Sequence, residues 1–290
     1  MRRFVFILVC ISSQVWAKES RPQNAWSSVK TPKTGAPQSI GGYSNGCIIG
    51  AETLAEKGDG FESIRRFRNR YYGHPELIKV IHWLGKTNEA LDRPALLVGD
   101  LSQPNGGPMP YGHRSHQLGL DADIWLTHQP KGKRNKDEFF PRFVNLKQEK
   151  VDPKTWDPSV VPLLKAVAQH PKVERVFVNW IIKRHLCKTV KEDRDWLRRI
   201  RPWWGHDRHF HIRLGCQDGS PHCKNLRSVA KIANCGGELW FSDASVIARR
   251  KKAKAKQPTE PAKPKPKKVL PKNCQALINV RLPAAEKTAL

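Results

Sequence analysis

The chain has 290 residues, 39% of them hydrophobic, and its 52 Lys and Arg against 26 Asp and Glu give a formal net charge of +26. This length fits one large or two modest domains, and the apolar content is sufficient for a hydrophobic core, so a wholly disordered chain is excluded. The excess of positive charge predicts a polyanionic partner or surface.

The N-terminus has the pattern of a secretory signal peptide. Two arginines precede a short apolar run, Phe4 to Ile11, and Val15 and Ala17 provide small residues at the cleavage positions. The run is too short to span a membrane, and no later stretch approaches ~18 uninterrupted apolar residues. We therefore predict a soluble mature chain that begins near Lys18 and resides in the periplasm. Because an exported protein rarely meets nucleic acid, we expect anionic envelope surfaces, not nucleic acid, as the polyanion.

Hydrophobic periodicity predicts the helices and strands. Residues 18–46 are polar and rich in Gly, Ser and Pro, and we expect them to be irregular. Helices are expected at Pro75–Leu84, Val160–Gln169 and Glu192–Ile200, and strands at Ala95–Val98, Gly119–Leu126, Val173–Asn179 and His209–Leu214. Since strands and helices do not alternate regularly, the predicted fold class is α+β, a small antiparallel sheet core with flanking helices.

The composition changes after residue 248. Residues 249–272 are Lys, Pro and Ala with almost nothing to bury, which predicts a flexible, partly extended basic linker. The predicted organisation is therefore a signal peptide at 1–17, a folded domain at 18–248, this linker, and a C-terminal segment at 273–290.

Six cysteines remain after the signal segment. An even count in an exported chain favours disulfides. No pair has the C-x2-C spacing that supplies adjacent ligands in cysteine zinc sites. The residues alone predict three disulfides and leave their connectivity open among Cys47, Cys187, Cys216, Cys223, Cys235 and Cys274.

Histidines concentrate in two segments of the chain. On the predicted strand after residue 208, His209 and His211 share one face roughly 7 Å apart, while the intervening apolar residues face the core. In the earlier segment His116 precedes the predicted strand that contains Asp123, and a turn near Gly119 can bring their side chains together.

Two imidazoles and one carboxylate are a ligand set that suits zinc. His116, Asp123 and His211 would leave the fourth tetrahedral position to water, whose pKa falls toward ~7 on the metal. His209 or His206 can then accept the proton and stabilise the tetrahedral intermediate. An H-x-H pattern is weak evidence by itself, because exposed histidines beside arginines are usually only solvated surface.

Longer motifs carry a resemblance to a known family. They are Gly112-His113-x-Ser115-His116-Gln117-x-Gly119-Leu120-Asp121-x-Asp123-Ile124, His206-x-x-His209-x-His211 and Arg201-Pro202-Trp203. Over roughly residues 38–280 the chain resembles the penicillin-insensitive murein endopeptidases. These belong to a wider group of zinc peptidases that includes lysostaphin-type enzymes, D-alanyl-D-alanine metallopeptidases and the hedgehog signalling domain.

The resemblance implies a function and a set of roles. Zn²⁺ would be bound by His116, Asp123 and His211, with His209 and His206 beside it, in a fold like that of hedgehog and D,D-peptidase domains. The substrate would be the D-alanyl–meso-diaminopimelyl cross-link of peptidoglycan. The implied disulfides pair Cys47 with Cys274, Cys187 with Cys235, and Cys216 with Cys223.

The chain departs from the family at one loop. Some members have an acidic residue and a histidine there, proposed to bind a second metal together with the residue that matches His113. Here the loop Leu146–Val151 contains no histidine. We therefore do not expect a second metal, and we expect His113 to be a neighbour of the site or a further ligand.

Other functions use some of the same residues. A zinc D,D-carboxypeptidase would apply the same ligands to a stem-peptide end, and a non-catalytic wall-binding zinc module would not need His206 and His209. An amidohydrolase barrel carries its H-x-H on the first strand, not after residue 200. Gly42-Tyr43-Ser44-Asn45-Gly46 matches the G-x-S-x-G of serine hydrolases, but we expect no buried strand before it.

Overall fold

The computed structural model describes residues 23–127, 140–229, 235–255 and 269–278. The predicted signal segment lies outside the described residues. Among those that are described, no helix has both the length and the apolar character needed to cross a membrane.

Thirteen strands and five α-helices make up the regular structure of the described part. The strands are β1 (Gln38–Gly42), β2 (Asn45–Ile49), β3 (Glu52–Thr53), β4 (Lys57–Gly58), β5 (Phe61–Ser63), β6 (Tyr72–Gly73), β7 (Leu96–Val98), β8 (Asp121–Trp125), β9 (Val144–Asn145), β10 (Lys150–Val151), β11 (Val173–Asn179), β12 (Ile200–Trp203) and β13 (His209–Leu214). The helices are α1 (Pro75–Ala90), α2 (Val160–Gln169), α3 (Trp180–Thr189), α4 (Asp243–Ala255) and α5 (Lys272–Gln275), and 3-10 turns occur at Arg66–Arg68, Asp195–Arg199 and Glu238–Phe241.

A seven-stranded sheet in the order β12-β11-β13-β8-β7-β5-β4 forms the centre of the molecule. The predicted mixture of helices and sheet is confirmed, but the small antiparallel core is corrected to a larger, mixed sheet. β12 runs parallel to β11, and β5 runs parallel to β7. A parallel pair needs a crossover connection, which α3 provides between β11 and β12. Periodicity did not reveal this helix, which starts where Asn179 accepts a hydrogen bond from the Ile181 amide at 2.9 Å.

Strand β13 shows how the core fixes the two faces of the sheet. Phe210, Ile212 and Leu214 are completely buried on one face. Each such side chain contributes about 1.5–3 kcal/mol by leaving water. Because side chains alternate along a strand, this packing directs His209 and His211 to the opposite face.

The segment expected to be irregular contains a β-hairpin. Strands β1 and β2 pair antiparallel, with Ile40 opposite Cys47. The hairpin packs on Trp26 and Cys274, and its Gly-rich sequence does not predict this contact. A buried strand does therefore precede Ser44, contrary to expectation. The G-x-S-x-G match still lacks a nucleophile elbow, because a second strand follows it and not a helix.

The region after residue 190 differs from the predictions in two places. The expected helix at Glu192–Ile200 is a 3-10 turn, Asp195–Arg199, followed directly by β12. Helix α4 continues to Ala255, so the first residues of the predicted linker are helical, consistent with the high helix propensity of Ala, Lys and Arg. Residues 256–268 lie outside the described residues.

Three disulfides cross-link the described chain, at sequence separations of 227, 48 and 7 residues. The pairs are Cys47–Cys274, Cys187–Cys235 and Cys216–Cys223, the pairs that the family resemblance implies. The first attaches α5 to β2, and the last lies directly after β13. The first disulfide thereby ties the C-terminal described segment to the β1–β2 hairpin.

Candidate functional site

A cleft of about 950 Å³ lies against the exposed face of β8 and β13. All six residues that the sequence analysis selected for metal binding or catalysis line this cleft. They are His113, His116, Asp123, His206, His209 and His211.

The sheet register brings two of these residues together. Strands β8 and β13 are antiparallel neighbours, and His211 lies directly opposite Asp123. The Nδ1 atom of His211 is 3.4 Å from Oδ1 of Asp123. These two residues of the site are therefore held by hydrogen-bonded neighbouring strands.

His116 reaches the same carboxylate oxygen from the loop before β8. Its Nε2 atom lies 3.4 Å from Asp123 Oδ1, and its Nδ1 atom lies 3.2 Å from the carbonyl oxygen of Leu101. Because a carbonyl only accepts hydrogen bonds, this contact assigns the proton to Nδ1. Nε2 then directs a lone pair toward Asp123.

A second aspartate fixes His211 in a similar way. Oδ1 of Asp121 lies 2.5 Å from Nε2 of His211 and 2.6 Å from Nε of Arg213. This assigns the His211 proton to Nε2 and leaves the Nδ1 lone pair facing Asp123. Burial opposes ionisation of Asp121, but Arg213 and His211 outweigh it and lower the pKa of that carboxyl. Sequence reasoning gave Asp121 no role, although its two-residue spacing from Asp123 puts both on one strand face.

Three lone-pair donors thus converge with no proton between them: Asp123 Oδ1, His116 Nε2 and His211 Nδ1. Ligands at about 2.0–2.1 Å from a tetrahedral zinc lie about 3.3–3.4 Å apart, which is close to the two 3.4 Å separations from Asp123 Oδ1. Within the described residues, Asp123 Oδ1 and His116 Nε2 are buried without a hydrogen bond. Such atoms cost about 1–3 kcal/mol each, which a cation would offset. The residues present therefore fit a zinc ion.

His113 lies on the other side of Asp123. Its Nδ1 atom is 3.2 Å from Asp123 Oδ2, and its Nε2 atom is 3.2 Å from Oδ2 of Asp100. Burial favours the neutral ring, but Asp123 and Asp100 outweigh it and raise the pKa of His113 to about 10. Ligand atoms of His113, His116 and Asp123 also lie within 4.8 Å of one another, so distance alone allows His113 as a ligand. The geometry of His113 is therefore compatible with a role as a ligand and with a role beside the metal.

Asp100 was not predicted from the sequence. Its Oδ2 atom pairs with Arg68 at 3.2 Å and Arg70 at 3.0 Å as well as with His113. Burial disfavours its charge, but His113 and the two arginines hold the pKa of Asp100 below its usual range. Nothing in its local sequence distinguishes it, because it reaches the site only through the tertiary fold.

His209 is a further neighbour of Asp123. Its Nε2 atom lies 3.5 Å from Asp123 Oδ2, beside the proposed ligands, and its ring packs 5.2 Å from that of Trp125. Burial lowers the pKa of His209 to about 3, with the Asp123 charge only partly opposing it. The ring is therefore neutral near pH 7, with one of its two nitrogens unprotonated.

His206 completes the histidine cluster at 5.0 Å from the His209 ring. Its Nδ1 atom is 2.8 Å from the Trp204 carbonyl oxygen, and burial lowers its pKa. The residue adopts φ +50°, a left-handed conformation that is costly outside glycine. Asn179 stabilises this turn, since its amide donates to the His206 carbonyl at 2.9 Å and its side chain donates to Gly205 at 2.8 Å.

The cleft wall around the histidines is basic. Arg114, Arg175, Arg213 and Lys224 line it, whereas Asp123 is the only carboxylate among the described lining residues. Such a wall favours a substrate with free carboxylates. The loop Leu146–Val151 does not line the cleft, and its Glu149 pairs with Arg184 at 3.4 Å.

Comparisons with known proteins agree with this arrangement. Residues 39–279 match the profile of a family described as penicillin-insensitive murein endopeptidase. A protein of that name from Haemophilus influenzae is 42% identical over 88% of this chain and 88% of its own length. Another from Pectobacterium atrosepticum is 38% identical over 93% and 92%, and one from Escherichia coli is 37% identical over 88% and 90%.

Proposed function

Because the chain belongs to the penicillin-insensitive murein endopeptidase family, we propose that it hydrolyses the D-alanyl–meso-diaminopimelyl cross-link of peptidoglycan with a zinc ion at the cleft. Membership of this family makes the chain an enzyme that hydrolyses peptidoglycan. The bond, the metal and the residue roles are our proposal.

One observation carries the metal assignment. Asp123 Oδ1 lies 3.4 Å from one ring nitrogen of His116 and one of His211. The other nitrogen of each ring donates its proton to a neighbouring oxygen, so the nitrogen that faces Asp123 carries a lone pair. We assign the ligands as His116, Asp123 and His211, with His113 as a neighbour that can become a ligand if it releases its proton. When bound, zinc lowers the pKa of water toward ~7 and polarises a carbonyl.

Side chains of the protein would transfer the protons. His209 Nε2 accepts a proton from the attacking water as the new C–O bond forms, and Asp123 stabilises the resulting imidazolium. The same proton then passes to the amine as the C–N bond breaks. His206 keeps its Nδ1 proton on the Trp204 carbonyl, which leaves the lone pair of its Nε2 atom available to accept a proton or a hydrogen bond.

The basic wall would select the substrate. A diaminopimelyl cross-link carries free carboxylates, which Arg114, Arg175 and Lys224 are placed to attract from the side of the cleft. We also propose that residues 1–17 direct export to the periplasm and that the fold is related to hedgehog and D,D-peptidase domains. The basic segment after residue 248 would be attracted to anionic envelope surfaces.

Digestion of purified peptidoglycan tests this proposal. The protein is incubated with sacculi in the presence and absence of a chelator, and the fragments are identified by mass. We expect cross-linked dimers to disappear without release of free D-alanine, and only without chelator. Release of D-alanine with intact dimers would instead establish the D,D-carboxypeptidase.

A further inference from the structure

Three tryptophans form an exposed aromatic surface beside the histidines. Trp203 and Trp204 are each 45% exposed, and Trp240 is 50% exposed. Together with Phe241 they make one cluster, in which Trp204 lies 5.1 Å from Trp203, 5.6 Å from Trp240 and 4.8 Å from Phe241, ring centre to ring centre. We call these four residues the aromatic shelf. Contiguous exposed apolar surface of this kind marks a binding site more often than a chance arrangement.

Secondary structure, a disulfide and core packing hold the shelf in place. Trp203 ends β12, whereas Trp240 and Phe241 belong to the 3-10 turn Glu238–Phe241, which the Cys187–Cys235 disulfide ties to α3. Phe241 packs against the main core, and the Arg249 guanidinium lies 3.8 Å from the centre of the Trp240 ring. A rigid shelf loses little conformational entropy when it binds a ligand.

The shelf is continuous with the catalytic cleft. The Phe177 ring lies 5.2 Å from His211 and 5.9 Å from Trp203, and both Trp203 and Trp204 line the cleft. A row of rings therefore leads from a proposed zinc ligand out to Trp240. Whatever the shelf binds must be attached to, or lie directly beside, the bond that is cut.

We propose that the aromatic shelf binds the amino-sugar glycan strand from which the cleaved peptides extend, an inference that rests on the proposed function. A pyranose ring presents C–H groups on its faces, and these are attracted to the electron-rich face of an aromatic ring. The stem peptide is a poorer occupant, because its carboxylates pair best with Arg114, Arg175 and Lys224, which line the cleft and are not part of the shelf.

Two soluble substrates separate sugar binding from peptide binding. One is a cross-linked dimer that retains its disaccharides, and the other is the same cross-linked peptide after enzymatic removal of the sugars. For Trp204→Ala and Trp240→Ala in the zinc-loaded full chain, kcat/KM should fall about tenfold more on the sugar-bearing substrate, chiefly through KM. Leu239→Ala is the matched control, because Leu239 is 49% exposed on the same 3-10 turn but carries no ring. It should show no difference between substrates, and Trp204→Phe should recover most of the loss.

Direct binding keeps this inference separate from the proposed function. Tryptophan fluorescence titrated with N-acetylglucosamine oligomers should show binding by the wild type that Trp240→Ala weakens, even if neither substrate is cut. Equal losses of kcat/KM on both substrates, or no oligomer binding, would overturn the proposal. So would tryptophan-dependent binding to anionic phosphatidylglycerol vesicles without binding to the oligomer, which would assign the shelf to a membrane surface.

Discussion

Asp123 and His211 face each other across β8 and β13, with Oδ1 and Nδ1 3.4 Å apart and no proton between them. The pair depends on the register of the central sheet. A shift of one residue would turn His211 into the core and Phe210 into the cleft, so packing of the apolar face also fixes the face that carries the proposed metal ligands.

The first prediction concerns the metal ligands. His116→Ala, Asp123→Ala and His211→Ala should each reduce bound zinc well below one ion per chain, because two remaining protein ligands rarely hold zinc. Metal analysis of the purified proteins checks this. His222→Ala, which removes an exposed histidine outside the cleft, should retain its zinc. Stoichiometric zinc in all three ligand variants would show that the ion binds elsewhere.

The second prediction concerns Asp121, which holds the His211 ring by its Nε2 atom. Asp121→Asn retains the shape but removes the charge that fixes the His211 tautomer. Zinc affinity should fall by about 10- to 100-fold, as is usual for such outer contacts. Competition with a chromophoric chelator measures the affinity, and circular dichroism verifies the fold. A zinc affinity within twofold of wild type would mean that Asp121 pairs with Arg213 but does not orient His211 for the metal.

The third prediction concerns His209. Its Nε2 atom is near Asp123 but is not needed to hold the metal in this scheme. His209→Ala should therefore keep its zinc while turnover falls by on the order of 10²–10⁴, the usual contribution of a general base. Turnover is measured on cross-linked muropeptides, with zinc content determined on the same sample. Wild-type turnover would transfer the role to His206.

The fourth prediction concerns stability and pH. Lys183 is only 2% exposed and donates to the Leu197 carbonyl at 2.6 Å, and burial lowers its pKa to about 7. Between about pH 7 and ~10.4 the unfolded chain carries a proton on this lysine that the folded chain lacks, so its contribution to stability rises with pH. Below pH 7 both states are protonated and the penalty is complete.

Replacing Lys183 with Met should therefore stabilise the protein most at pH 6 to 7, and its advantage should shrink toward pH 10. Denaturant midpoints at several pH values, with the disulfides intact, measure this difference. Lys188→Met, an exposed substitution on the same helix, controls for changes in surface charge. An advantage that grew with pH would contradict the assigned direction.

Strong periodicity made part of the fold predictable from the sequence. The bounds of α2, β11 and β13 coincide with the predicted ones, because α2 and β13 have a regular apolar pattern on one side and β11 contains a short apolar run. The hairpin of β1 and β2 was missed, because its glycines conceal a buried face that only contact with Trp26 and α5 explains.

The site was predictable where residues share a strand or a motif. His209 and His211 could be assigned to one face from alternation alone. The roles of Asp100 and Asp121 could not be inferred, because they act through contacts across strands and loops. The aromatic shelf is a further example, since it joins Trp204 to Trp240 through the tertiary fold.

The central claim is that one zinc ion at His116, Asp123 and His211 drives cleavage of peptidoglycan cross-links. The most direct test removes all metal from the protein and titrates Zn²⁺ back while the conversion of cross-linked muropeptide dimers to monomers is followed by mass. The account predicts no conversion by the metal-free protein and an activity that rises linearly and stops at one zinc per chain. Conversion without metal, or a plateau reached only at two zinc ions per chain, would contradict it.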